Sequence, residues 1–406
     1  MSRRNCALRI LYVTPTLPVP TGGGQTRPFN LIKQLSDRHE ISVISFVQPA
    51  EGDLVGLLEP YCQRLELVPF EGFEPLGKWR NRLSGWGHLL FDDRPAYVRT
   101  FPVDRMRVPL RRLLASSTFD LVVFEQLFLA GLLGDIGDLP ALLVEQNVES
   151  DIARQSFAQA RNLVHKVRDW LAWRKLMAFE RRCVQRFRAC VAVSQRDAEL
   201  VRAMSSGTQV YVVPNGVDSR YFATGDEKRG ADRLLFFGTL SYGPNADGIR
   251  WFCQQVLPRI RQNRPGLRLD IVGPSAVREV VALGDIPGVN LVGFVGDVRP
   301  ALWLAAVCIV PLRAGGGTRL KILEALAAHC PVVSTTIGAE GLDLVDGQDL
   351  LIADNPDDFA KAVLRLLDDG ALRANLAAAG ASAVRQRYDW QEIAAQFEFA
   401  CIEAAR

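Results

Sequence analysis

Apolar runs of strand length alternate along the chain with stretches of helical periodicity. ALRILYVTP (7–15), EISVISFV (40–47), LELVPF (65–70), FDLVVFEQ (119–126), PALLVEQN (140–147), ACVAVS (189–194) and TQVYVVPNG (208–216) form a first set. A continuous apolar run, rather than strict alternation, is the pattern of a strand covered on both faces. Between the first two runs, residues 29, 31, 32 and 35 are apolar at helical spacing, and TLPVPTGGGQTRPFN (16–30), with three Pro and three Gly, reads as a loop. Residues 150–188 read as a long helical region rich in Arg and Trp.

A second set follows: RLLFFGTLS (233–241), RLDIVGP (268–274), VNLVGFVG (289–296), AVCIVPL (306–312) and PVVSTTIG (331–338). Helical patterns such as DGIRWFCQQVLPRI, RLKILEALAAH and DDFAKAVLRLLDD separate these runs. Strands alternating with helices predict a parallel sheet with helices on both faces, here twice over. The polar, non-periodic stretch 214–233 divides the sets, so domains of 1–215 and 216–389 are expected. The amphipathic helix 390–406 is expected to pack back on the first domain. The length of 406 residues agrees, since single cores stop growing at roughly 250–300 residues.

Composition adds exclusions. With 48% hydrophobic and 23% charged residues, the chain is neither disordered nor collagen-like. The apolar stretch Ala301–Leu312 falls short of the ~20 residues a spanning helix needs. The basic opening MSRRNCALRILYV carries too brief an apolar run for a leader, so a cytoplasmic chain is expected. The eight cysteines include no C-x-x-C pair and the four histidines (39, 88, 165, 329) are scattered, which points away from zinc, disulfides and metal-dependent hydrolysis. Residues 1–220 hold 29 Lys and Arg against 23 Asp and Glu, while the rest hold 19 against 22. Within the basic half, KWRNRL (78–83) and RMRVPLRRLL (105–114) mix cations with apolar residues, which reads either as a surface resting on the inner face of a membrane or as a solvated helix face. The net charge of +3 is too small to imply nucleic-acid binding.

Chemistry concentrates in VPLRAGGGTRLKILEALAAHCPVVSTTIGAEGL (310–342). A strand ends, Gly315, Gly316 and Gly317 let the backbone approach a ligand, and a helix is expected to open near Thr318. The helix dipole contributes about 0.3–1 kcal/mol toward an anion. A charge-assisted hydrogen bond contributes about 1.5–3 kcal/mol, so Arg319 or Lys321 should dominate. Lys321 and Glu324, three positions apart, share a helix face, with Leu320, Leu323 and Ala327 toward the core. The pair reads as a cation for a diphosphate beside an acid for sugar hydroxyls, or as a surface salt bridge.

GGGTRLKILEAL and PVVSTTIGAEGL, with FFGTLSYGPNADGIRWF, VPNGVDSRYF, GFVGDVRP and ERRCVQRFRACVAVS, closely resemble glycosyltransferase family 4, over most of residues 119–390. The branch it resembles serves bacterial exopolysaccharide and cell-surface glycan synthesis. The resemblance implies a GT-B fold, two Rossmann-like domains facing a central cleft, and retaining transfer of a hexosyl group. The donor would be a nucleotide-diphosphate sugar of UDP or GDP type, used without a tightly bound cofactor or metal. The acceptor would be a glycan, a lipid-linked molecule or a small molecule, held by the amino-terminal domain while the other holds the donor.

By the resemblance, Glu324 matches the second acid of the family's E-x-seven-E motif, on the ribose hydroxyls. The first acid would fall at Gly316, a departure, and Glu340 is a candidate to face the donor sugar in its place. Gly238, Thr239 and Asn245 match the turn near the donor phosphates, where Arg319 and Lys321 would supply the charge that the turn lacks. Phe294 and Val295 match the stretch facing the nucleobase. In the amino-terminal half, TGGGQTR (21–27) offers Gly23 and Gly24 to donor or acceptor. VEQNVES (144–150) resembles a site where relatives carry H-N-V-E, so Gln146 stands in place of His beside Asn147 and Glu149, with Glu125 nearby. A Gln binds a hydroxyl but cannot act as a base. Two other readings of the same architecture are a nucleotide-sugar epimerase and a non-catalytic partner protein that has kept the fold.

Overall fold

The computed structural model describes residues 7–20, 23–71, 95, 101–159, 162–223, 225, 229–315 and 319–406. The chain divides into two compact units: unit 1 comprises Met1–Pro214 with Ile393–Arg406, and unit 2 comprises Asn215–Glu392.

Unit 1 is built on seven parallel strands: β1 (Arg9–Thr14), β2 (Glu40–Val47), β3 (Arg64–Pro69), β4 (Leu121–Glu125), β5 (Ala141–Glu145), β6 (Ala189–Ala192) and β7 (Gln209–Val212). Their order is β3-β2-β1-β4-β5-β6-β7. The central strands are apolar throughout because helices cover both faces: every residue of β4 and β5 is buried. The chain runs outward from β1 to β3, then returns to β4 on the other side of β1. That reversal opens a crevice at the carboxyl ends of β1 and β4.

The main helices of unit 1 are α1 (Gly23–Leu35), α2 (Asp104–Ser116), α3 (Glu149–Gln159), α4 (Leu163–Val184) and α5 (Gln195–Met204). Three expectations change here. The glycine-rich segment is not loop up to residue 30: α1 begins at Gly23 and carries Pro28 inside it. The region 150–188 is two helices rather than one. The basic run 105–114 lies in α2, whose Met106, Leu110 and Leu113 face the core, while Arg107 and Arg111 both pair with Asp135. The run 78–83 lies outside the described residues.

Unit 2 has six parallel strands: β8 (Arg233–Phe237), β9 (Arg268–Val272), β10 (Val289–Gly293), β11 (Val307–Val310), β12 (Val332–Ser334) and β13 (Leu351–Ile352). The order β10-β9-β8-β11-β12-β13 reverses direction between β8 and β11. Its helices include α6 (Gly243–Trp251), α7 (Leu320–Ala327), α8 (Pro356–Asp368) and α9 (Gly370–Arg387). β13 is two residues long, too short for periodicity to reveal. In α7, Ile322, Leu323, Ala325, Leu326 and Ala327 are buried, whereas Leu320, assigned to the core stripe, is only half-buried.

The last helix, α10 (Trp390–Ala405), carries the chain back into unit 1. There the Phe397 and Tyr12 rings lie 6.3 Å apart. His39 accepts from Leu8 N–H at Nδ1, 3.0 Å, which leaves the proton on Nε2 to donate to Glu398, 2.9 Å.

Candidate active site

In unit 2 the reversal between β8 and β11 is lined by the segments that follow those strands. Gly238, just past β8, has φ +140° and donates its N–H to Val272 O, 3.0 Å. α6 then opens, and Asn245 in its first turn is buried. Its Nδ2 donates to Thr239 O at 2.9 Å, which fixes the amide so that Oδ1 faces α7. Lys321 reaches back from α7 and donates Nζ to that Oδ1, 2.7 Å. The ammonium also sits over the Phe236 ring, 4.7 Å from its centroid, and a Cβ on Gly238 would lie 3.0 Å from it.

Lys321 therefore does not pair with Glu324 by hydrogen bond, as their shared helix face suggests; it crosses to another element. Burial pushes the Lys321 ammonium down to about 8 and the Glu324 carboxyl up to about 7, each opposed by the attraction between the two. An ammonium has three donors. Asn245 takes one, and beside the ammonium the Gly238 turn carries no Cβ.

Past β11, Arg313 pairs with Asp247 of α6, 2.7 Å. Gly315 has φ +130°, and the Arg319 guanidinium packs against it so closely that a Cβ there would lie 2.7 Å from Nη2. Arg319 is 7% exposed and stands at the N-cap of α7, which starts at Leu320 rather than near 318. Gly316, Gly317 and Thr318 lie outside the described residues. Phe294, past β10, is 74% exposed, an aromatic face held out at a strand end, while Val295 is half-buried. Glu340 ends the short helix Thr336–Ala339, whose Thr335 cap accepts from Gly338 N–H at 2.9 Å. A Cβ on Gly338 would lie 2.6 Å from Val310 O, so this loop is pressed onto the end of β11.

Unit 1 carries a second cluster at its own reversal. Pro28 has no N–H for the carbonyl of Gly24, four residues earlier. Gln146, just past β5, supplies the missing donor: its Nε2 lies 3.0 Å from Gly24 O. The same Nε2 is 3.4 Å from Glu125 Oε2 at the end of β4. Glu125 is 1% exposed, and burial pushes its carboxyl up to about 7 against the opposing pull of Arg27. Arg27, itself 1% exposed, donates to Pro214 O and Val213 O at 2.6 and 2.9 Å. Gln146 thus joins Gly24 and Glu125 directly, and Gly23 begins the same helix. Asn147 is half-buried beside them, and Glu149 opens α3, its N–H donating to Glu180 Oε1 at 2.9 Å. Among the described residues no group of three or more His, Cys, Asp or Glu is placed to hold a metal ion.

The sequence matches the family model "Glycosyltransferase Family 4" over residues 21–221 and the model "Glycosyl transferases group 1" over residues 231–369. The chain belongs to glycosyltransferase family 4. Among curated relatives of this family 4 chain, a phosphatidyl-myo-inositol mannosyltransferase of Mycolicibacterium smegmatis is 30% identical over 200 residues, 47% of this chain and 51% of that protein. An uncharacterized 44.6 kDa protein from the cps region of Klebsiella pneumoniae is 27% identical over 168 residues, 39% of this chain and 43% of that one. The chain thus spans about half the length of the curated relatives it matches. Two solved structures share the fold end to end. Sucrose-phosphate synthase from Thermosynechococcus elongatus has a TM-score of 0.72 at 16% identity, covering 98% of this chain and 100% of that one. Anabaena HepE, solved with UDP and glucose, has a TM-score of 0.67 at 16% identity with the same coverage.

Within this family 4 chain, sequence reading passed over Arg27, Phe236 and Gly273. Arg27 closes the TGGGQTR motif, so its charge was in view but not its burial. Phe236 sits in an apolar run and reads as core. Gly273, φ +152°, is signalled only by VGP after a strand.

Proposed function

We propose that this chain is a retaining glycosyltransferase that moves a sugar from a nucleotide-diphosphate donor of UDP or GDP type to a hydroxyl of a glycan, lipid-linked or small-molecule acceptor. The observation that carries the reading is the Lys321 ammonium, held by Asn245 and Phe236 over the Gly238 turn at the reversal of the unit 2 sheet. Lys321 binds the diphosphate, with Arg319 and Gly315 beside it. Glu324 takes the ribose hydroxyls, Phe294 and Val295 the base, and Glu340 the sugar, while the Gly238–Thr239 turn lies along the phosphates. In unit 1, Gln146 with Glu125, Gly23, Gly24, Asn147 and Glu149 meets the acceptor. That HepE was solved with UDP, and separately with UDP-glucose, supports a nucleotide-sugar donor.

In the reaction the bond from the anomeric carbon to the diphosphate oxygen breaks. A bond from that carbon to the acceptor oxygen forms on the same face, and the acceptor proton passes to the leaving diphosphate. Gln146 cannot take that proton, so the leaving group serves as base. Lys321 accelerates departure by stabilising the charge that develops there. The acceptor reading includes peripheral contact with a membrane carrying the lipid-linked acceptor. The family matches favour transfer over epimerisation or a non-catalytic role.

A thermal-shift screen over UDP, GDP and their sugars tests this. A ligand at 100 times its Kd adds about 2.7 kcal/mol of stability. Stabilisation by none of them sinks the donor assignment, and a product of inverted anomeric configuration sinks the retaining mechanism.

A further inference from the structure

Outside the two strand-end clusters, the most distinctive surface of unit 1 is the helical hairpin α3–α4 and the pocket at its base. Residues 151–188 hold ten Lys and Arg against three Asp and Glu. Along α4, Leu163, Val167, Trp170, Arg174, Ala178 and Arg181 follow one another at steps of three or four and so lie on one face. The first three of these are exposed, Leu163 by 76% and Trp170 by 44%, and Val164 beside them is exposed as well. The apolar stripe runs straight into the arginines.

Those arginines line a pocket of about 550 Å³ with Arg154 and Arg182, walled by Trp173, Met177 and Met204. Among the described residues Asp151 is the only acid in the lining, and Arg154 and Arg196 both pair with it. Arg174, Arg181 and Arg182 have no carboxylate paired with them among the described residues. The hairpin is braced: Phe157 of α3 stacks on Trp173 of α4, centroids 5.9 Å apart, and Lys166 lies 5.7 Å over the Phe157 ring.

A guanidinium cluster in a concave site matches a phosphate, which it holds through paired N–H donors. An exposed apolar stripe with a Trp, leading into that cluster, matches the acyl and headgroup layers of a bilayer. We propose that this face docks the chain on a membrane carrying anionic phospholipids, with Leu163, Val167 and Trp170 in the interface and one headgroup phosphate in the arginine pocket. The proposal rests on the peripheral membrane contact of the preceding section and names its surface. The basic helix α2 is less suited to the task, since Met106, Leu110 and Leu113 face the core, Arg107 pairs with Asp104 and Asp135, and Arg111 pairs with Asp135.

Cosedimentation with vesicles of phosphatidylcholine alone, and of phosphatidylcholine with one third phosphatidylglycerol, tests this. Wild type binds the mixed vesicles preferentially, and Arg174→Glu with Arg181→Glu weakens that binding by at least about tenfold. Val167→Ser with Trp170→Ser, both at exposed positions, weakens it comparably, while UDP or GDP affinity stays at the wild-type value in both doubles. Wild-type binding that both doubles retain overturns this surface and leaves the membrane contact standing. Binding to neither vesicle overturns both. Preference for a polyglutamate peptide over mixed vesicles marks an acidic protein as the partner and overturns the lipid assignment. Glycerol phosphate that displaces the protein from mixed vesicles only through the pocket arginines supports a headgroup phosphate there.

Discussion

Lys321 and Asn245, 76 positions apart in sequence, meet at 2.7 Å, and Asn245 can receive the ammonium only because its own amide is pinned to Thr239 O. The lysine is thereby aimed at the Gly238 turn instead of its helical neighbour Glu324. Lys321→Ala is expected to cost about 1.5–3 kcal/mol in nucleoside-diphosphate binding, measured by calorimetry. Asn245→Asp places a carboxylate against the ammonium and is expected to weaken the diphosphate by competition for the same charge. Wild-type affinity in Lys321→Ala removes the lysine from the site.

The titrations of Lys321 and Glu324 set the pH dependence of donor binding. Glu324 ionises through about 7 and Lys321 loses its proton through about 8, so the charged form of both exists only in a narrow band. Affinity for the donor is expected to rise as pH climbs through about 7 and fall beyond about 8. Lys321→Arg, which stays protonated, should abolish the alkaline limb, and Glu324→Gln the acid one. A flat profile in wild type contradicts both roles. The two groups also act oppositely on stability. The native state holds a Glu324 proton the unfolded chain has lost between the ordinary carboxylate range and about 7, so stability falls with rising pH there. Between about 8 and the ordinary lysine range the unfolded chain holds the extra proton, so stability rises.

Glu125 makes the same linkage testable in unit 1. Its folded value of about 7 exceeds the ordinary 4.5, so the native carboxyl is stable while protonated and is penalised as pH rises through that window. Glu125→Gln keeps the shape and removes the ionisation. The variant is expected to match wild type near pH 4.5 and to exceed it at pH 8 by up to about 3 kcal/mol. Chemical denaturation at the two pH values reads the difference. Equal stability of the two proteins at pH 8 refutes the burial penalty.

Most strands were legible because a parallel sheet buried on both faces leaves runs such as LVVF and ALLV, a pattern carried by the strand itself. What stayed hidden depends on distant partners. The start of α1 at Gly23 is one such feature, since Gln146, 122 positions away, supplies the donor that Pro28 lacks. The Lys321–Asn245 bond is another, because helical periodicity compares a side chain only with its own helix. The basic stretch in α2 read as a membrane surface or a solvated face, and only the structure shows that Asp135 and Asp104, both outside that stretch, pair with its Arg107 and Arg111. The tripled glycine, the Lys and the Glu were visible as chemistry; which groups they touch was not.

Gly273 offers the sharpest test of how the donor turn is built. At φ +152° it adopts a backbone conformation that L side chains rarely take, and a Cβ there would lie 1.9 Å from Gly238 O. Its N–H donates to Gly293 O, 2.8 Å, while Gly238 N–H donates to Val272 O, so the ends of β8, β9 and β10 are tied at this point. An alanine at 273 must push the Gly238 turn outward, and Thr239, which orients Asn245, moves with it. Gly273→Ala is therefore expected to lower stability by about 1–3 kcal/mol through strain and overpacking. It should also weaken nucleoside-diphosphate binding, although residue 273 touches neither Lys321 nor Glu324. Gly266→Ala, where nothing lies within 4 Å of the added Cβ, serves as the control and should leave both measurements at wild type. Wild-type melting and affinity in Gly273→Ala would mean that the turn tolerates displacement, and that the position of the ammonium does not depend on the packing of these strand ends.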